Sequence, residues 1–125
     1  MPGNVMLALG YRGGTAICAA LDVFDSQTLW GRYWGTTEPV SGLHFEACYY
    51  QAIDFAIARG LQVFEGGAQG EHKLSRGLEP VRTRSAHWIA DPRFRDAVAH
   101  FLAEERGGME AYLDELSERL PFKGT

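Results

Sequence analysis

The stretch "LHFEACYYQAIDFAIARGLQVFE", residues 43–65, decides the fold. Apolar residues recur through 43–59 at helical intervals, Gly60 stands where a left-handed residue ends a helix, and "LQVFE" (61–65) follows as a short β-type run. Upstream lie three further apolar runs, "VMLALGYR" (5–12), "TAICAALDVF" (15–24) and "QTLWGRYWG" (27–35). Gly13–Gly14 and Asp25–Ser26 separate them as hairpin-type turns, which predicts an antiparallel meander. A strand, a helix and a strand in that order imply a crossover, so the strand at 61–65 should run parallel to the third strand, and the sheet should be mixed. Alternation in the third strand puts Trp30, Arg32 and Trp34 on one face and Leu29, Gly31 and Tyr33 on the other.

Downstream the signals thin out. "VRTRSAHWI" (81–89) alternates weakly and reads as one more strand. Asp91–Pro92 is an N-cap followed by proline at the first helical position. Phe94, Val98, Phe101 and Leu102 then form one apolar stripe, and Met109, Tyr112, Leu113, Leu116 and Leu120 a second. Gly107–Gly108 between them predicts a C-terminal helical hairpin.

The chain of 125 residues, with 46% hydrophobic and 22% charged residues, has the composition of one globular domain, 1–125, without low-complexity tracts. A net charge of −4 argues against a general nucleic-acid or membrane-surface binder and restricts any phosphate site to a local patch. Cys18 and Cys48 have no metal-like spacing and read as buried free thiols of a reducing compartment. There is neither a leader-like N-terminus nor a membrane-length apolar run, so a cytoplasmic protein is expected.

Two places carry candidate chemistry. On a 100° projection His44, Gln51, Asp54 and Arg59 share the polar arc, whereas Glu46 falls among Phe45, Tyr49, Tyr50, Ile53 and Ile57. Two roles stand open for Glu46. A carboxylate in the first turn complements the helix dipole, and one buried on an apolar face acquires the raised pKa of a general base. The second place is "FEGGAQGEHKLSRGLEP", residues 64–80. Glu71 and His72 are an acid and base candidate pair, and Lys73 and Arg76 suit an anionic oxygen. A solvated charged loop is the bland alternative, and neither a phosphate-loop nor a zinc pattern is present.

The run from Leu43 to Ile89 closely resembles the C-terminal part of a bacterial family of predicted N-acyltransferases labelled peptidoglycan biosynthesis or recognition proteins. That family is similar to the GNAT-type acetyltransferases and to the Fem aminoacyl-transferases. The resemblance implies a GNAT/Fem-like fold in which strands 27–36 and 61–65 splay apart around an acyl donor, with the helix start at Ser41 and Gly42 as a donor or cofactor site. It implies that "KLSRGLEP" (73–80) lines the acceptor side, with Lys73, Arg76, Tyr50, Gln69 and Arg32 binding substrate and Glu46, Glu71 or His72 catalytic. The spaced glycines of the GNAT pyrophosphate signature are absent from 36–46. No tightly bound cofactor and no metal are expected. The donor would be acyl-CoA or aminoacyl-tRNA, the acceptor a small-molecule or peptidoglycan-precursor amine, with no DNA and no membrane span. The same resemblance leaves room for a non-catalytic binding module, and for a homodimer or an N-terminal half that completes the site.

Overall fold

The computed structural model describes residues 2–67 and 71–122, in two compact units, residues 1–69 and 70–125, each taken by itself below. The side chains of Pro2 and Glu71 also lie outside the described residues.

The first unit is a four-stranded sheet in the order β1 (Val5–Arg12), β2 (Thr15–Phe24), β3 (Thr28–Thr36), β4 (Val63–Glu65). The first three strands pair antiparallel and β4 pairs parallel to β3, as the helical crossover requires. Gly13 and Gly14 turn the first hairpin with φ of 55° and 81°, a left-handed pair that side chains resist. Asp25 turns the second, its Oδ1 accepting hydrogen bonds from the Gln27 and Thr28 amides, both at 2.8 Å.

Two irregularities reset the faces of this sheet. Gly10 pairs with Cys18 but Tyr11 with Ala16, and Leu21 pairs with Tyr33 but Asp22 with Gly31. The second leaves Arg32 as an extra, bulged residue. Simple alternation through β3 therefore fails. Leu29 points into the core before the bulge and Trp34 after it, so Trp30, Arg32 and Trp34 do not share a face, and Arg32 is exposed.

The crossover helix is interrupted. It runs as α1 (Leu43–Phe45), a π-helical turn (Glu46–Tyr50) and α2 (Gln51–Arg59), and stops at Gly60, whose φ of 70° and amide bond to the Ile57 carbonyl close the end. Against the sheet it builds two small clusters. Phe24, Leu29, Ala52 and Ala56 form one, with Met6, Phe55, Leu61 and Phe64 packed around them. Cys18, Ala20 and Ala47 form the other, with Ala8, Trp34, Leu43 and Cys48 around them. The opposite sheet face carries Val5, Leu7 and Leu9 on β1, all exposed, and Tyr33 on β3, 76% exposed.

In the second unit a 3-10 turn, Glu71–Arg76, precedes the irregular segment 78–89, which forms no strand, contrary to the reading of 81–89. Arg82 serves the following helix instead, pairing with Glu110 at 2.5 Å. The expected helical hairpin is one helix, α3 (Pro92–Glu118), capped by Asp91, whose side chain accepts from the Arg93 and Phe94 amides. Gly107–Gly108 does not end it. Each glycine costs a helix about 1 kcal/mol, which the strong helix formers on both sides (Ala103, Glu104, Glu105; Met109, Glu110, Ala111) carry.

Candidate functional site

Glu46 does not take the position its helical projection gives it. The π turn adds one residue to the winding, so residues five apart come into line, where α winding would set them about 140° apart. Ala47 and Ala52 are accordingly both buried, while Glu46 is turned to solvent, where its Oε1 accepts a 2.8 Å hydrogen bond from Gln51 Nε2. Exposure removes the burial on which its candidacy as a base rests. The same rotation carries His44 off the polar arc into an aromatic nest, its ring 5.3 Å from Trp34, 5.4 Å from Phe45 and 5.7 Å from Tyr49. Ile57, assigned to the apolar face, is 73% exposed.

The helix start borders an open recess of about 360 Å³ lined by Trp34, Thr36, Glu38, Pro39, Val40, Ser41, Leu43 and His44. Gly42, at φ 79°, turns the chain from this recess into the helix, and its carbonyl accepts the Glu46 amide at 3.0 Å. Ser41 and Gly42 thus stand together with His44 at the end of β3. Tyr50, on the outer side of the π turn, is 46% exposed.

The carboxylate that the sheet does bury is Asp22, which the sequence reading passed over. The signal was present: Cys18, Ala20, Asp22 and Phe24 alternate on β2 as one inward row, and all four are buried. Asp22 is 2% exposed, and its Oδ2 has no hydrogen-bond partner. Desolvation raises its pKa from 3.8 to about 6. The Cys48 thiol lies within electrostatic reach of it. Cys48 is pushed up to about 11 by burial first, then by the charge of Asp22 and by Cys18. Both cysteines are free, as the sequence suggests.

Asp22 lies at the fork of the sheet. β3 and β4 pair only at Thr28–Val63, Leu29–Phe64 and Trp30–Glu65, so Gly31, the partner of Asp22 across the other ladder, is the first β3 residue beyond the parallel pairing. A side chain built on Gly31 would meet Glu65 O at 3.7 Å and Asp22 Oδ1 at 3.8 Å, both ordinary van der Waals distances.

The remaining candidates lie in the second unit. The Glu71–Arg76 turn gathers His72, Lys73 and Arg76. Arg76 Nη1 donates to Ser75 Oγ at 2.7 Å and to the His72 carbonyl at 3.1 Å, closing the turn on itself. Lys73 is half-buried, and that burial lowers its pKa. Gln69 and the Glu71 side chain lie outside the described residues. Among the described residues no group of three or more His, Cys, Asp or Glu side chains is placed to hold a metal ion, and no helix is long and apolar enough to cross a membrane.

A model of the family described as FemAB-like, peptidoglycan biosynthesis/recognition, matches residues 1–124, and the chain belongs to that family. No curated protein and no solved structure matches the chain.

Proposed function

We propose that this FemAB-like protein transfers an acyl or aminoacyl group to an amine during peptidoglycan biosynthesis, on a GNAT-like sheet. The observation that carries the reading is the family match over nearly the whole chain. The sheet supports it: the edge strand β4 pairs parallel to β3 only as far as Trp30–Glu65, and β3 runs on without it towards the helix start and an open recess.

The chemistry asks for a deprotonated amine. Its nitrogen bonds to the carbonyl carbon of an ester or thioester, the C–O or C–S bond breaks, and the amine's proton leaves to a base. Backbone amides stabilise the oxyanion formed in between. The recess at Ser41 and Gly42 receives the donor, Lys73 and Arg76 hold a phosphate or carboxylate of one substrate, and His72 or Glu71 handles protons. Tyr50, Gln69 and Arg32 contact substrate. Glu46 is not retained as the base.

The test is transfer of a labelled group from acyl-CoA or aminoacyl-tRNA to a primary amine. One of the donors should yield the amide, and the double variant Lys73→Ala/Arg76→Ala should bind that donor or the acceptor roughly a hundredfold more weakly with an unchanged melting temperature. Failure of every donor would sink the reading. A binding module of the same fold is the second reading, favoured by the bare apolar face of Val5, Leu7, Leu9 and Tyr33. Light scattering would then give a stable dimer without transfer.

A further inference from the structure

The open recess at the end of β3, about 360 Å³, lies at the small end of the roughly 300–1,000 Å³ that ligand pockets span. Its walls are mostly apolar: Trp34 and His44, packed edge to face at 5.3 Å, with Pro39, Val40 and Leu43. No lysine or arginine lines it, and the formal charge in its wall is the carboxylate of Glu38, whose Oε1 lies 2.9 Å from Arg12 Nη1. Much of the backbone beside it is already bonded. The Thr37 amide donates to the Ile17 carbonyl at 2.8 Å, the Glu38 amide to Thr36 Oγ1 at 3.4 Å, the Leu43 amide to the Val40 carbonyl at 3.2 Å and the Glu46 amide to the Gly42 carbonyl at 3.0 Å. Pro39 has no N–H to give. The Thr36 hydroxyl stands 3.0 and 2.7 Å from the Ile17 and Glu38 carbonyls, which take up its one proton. An anion is held by cations or by a nest of unspent amides. Here there is no such cation, four nearby amides are spent, and the carboxylate repels a phosphate.

We propose that the recess takes the apolar end of the transferred acyl group, an aromatic or branched end without charge, and that no phosphate of the donor enters it. That the occupant belongs to an acyl donor rests on the function proposed above; the preference of the recess for a neutral apolar group does not. Trp34, Val40, Leu43 and His44 are all half-buried, so each keeps apolar surface that a ligand removes from water. The Ser41 hydroxyl, exposed in the same wall, suits the single polar contact that such a ligand brings. An acetyl group is too small to cover these side chains. The recess therefore selects bulky acyl groups over small ones.

The probes are phenylacetamide, which is neutral, and phenyl phosphate, which carries the same ring on an anion. Binding to the full chain is followed by amide and indole chemical shifts. Phenylacetamide should bind saturably, with its shifts gathered at Trp34, Val40 and Leu43, and phenyl phosphate roughly tenfold more weakly or worse. Val40→Trp fills the recess from the loop between β3 and α1, and Val40 belongs to neither buried cluster. Ser41→Trp does the same from an exposed position, so one filler folds even if the other does not. Each should weaken phenylacetamide binding by roughly tenfold or more, with the melting temperature unchanged. The proposal is overturned if phenylacetamide does not bind beside Trp34, if phenyl phosphate binds equally well, or if the fillers bind phenylacetamide like wild type. In transfer, the wild type should favour phenylacetyl-CoA over acetyl-CoA, or phenylalanyl-tRNA over glycyl-tRNA, by roughly tenfold or more in kcat/KM, and the fillers should erase that preference. Phenylacetamide binding without transfer from any donor upholds the recess and sinks the transferase reading. Transfer without the preference keeps that reading and overturns the recess as its acyl pocket.

Discussion

The start of the crossover helix and the middle of β2 each carry one acidic residue in an apolar row of the sequence, and the structure treats them oppositely. Glu46 is rotated out to solvent by the π turn and bonded to Gln51, whereas Asp22 is held inside with an oxygen that nothing satisfies. A helix can insert a residue and re-aim everything before it at small cost, since its hydrogen bonds shift by one and continue. A strand does the same only through a bulge, as β3 does at Arg32, and β2 carries no extra residue between Cys18 and Phe24 in either ladder, so its inward row keeps Asp22. A misplaced carboxylate in a helix is therefore weak evidence of function. One kept inside a central strand is stronger evidence, because relief was available by substitution alone and was not taken.

Deletions in the helix give the largest expected effect. Removing Asp54 from α2 leaves no spare residue to absorb the change and should cost about 3 kcal/mol or more in urea unfolding. Removing Tyr50 should cost far less, on the order of 1 kcal/mol or below, because Ala47 and Ala52 then stand four apart and plain α winding aligns them. Equal losses would mean that the π turn is not an insertion, and the contrast between the two regions would fall.

Asp22 comes next. Its folded pKa of about 6 stands above the 3.8 of the unfolded chain, so between roughly pH 4 and 6 the native state keeps a proton that the unfolded state has lost. Stability should fall as pH rises through that window, by at most about 3 kcal/mol, and level off above it. The difference curve between wild type and Asp22→Asn isolates this slope, and a flat difference would place the carboxylate in water.

A third, smaller effect checks the register that keeps Asp22 inside. A β-carbon at Gly10 would lie 2.5 Å from Cys18 Sγ, so Gly10→Ala should cost about 1 to 3 kcal/mol in thermal unfolding. The pair Gly10→Ala/Cys18→Ala should recover most of the clash term, since the sulfur is the atom in the way. The smallest effect belongs to Glu46→Ala, which removes one exposed hydrogen bond and should change stability by less than about 0.5 kcal/mol.

Much of the first unit was legible because its signals are local. Alternation marked β1 to β3, paired glycines and Asp25 marked the turns, and Gly60 marked the helix end. The parallel fourth strand followed from the crossover alone. What was hidden depends on one extra residue. Neither the bulge at Arg32 nor the π turn at Glu46–Tyr50 changes composition, yet each turns every later or earlier side chain to another face. That is why Trp34 and Glu46 were misplaced. Asp22 was hidden differently: Ala19, Leu21 and Val23 on its other side are apolar too, so β2 reads as one hydrophobic run, and its single charge was readable but unread. In the second unit Gly107–Gly108 stays helical because propensity is summed over all of α3, and the weak alternation at 81–89 has no partner strand among the described residues.

The central claim is that Asp22 is a carboxylate held inside the sheet with an oxygen that nothing satisfies. A carbon-detected NMR titration of the Asp22 carboxyl tests it most directly. The midpoint should lie at about 6, the value that desolvation gives it. A midpoint near 4 would contradict the account.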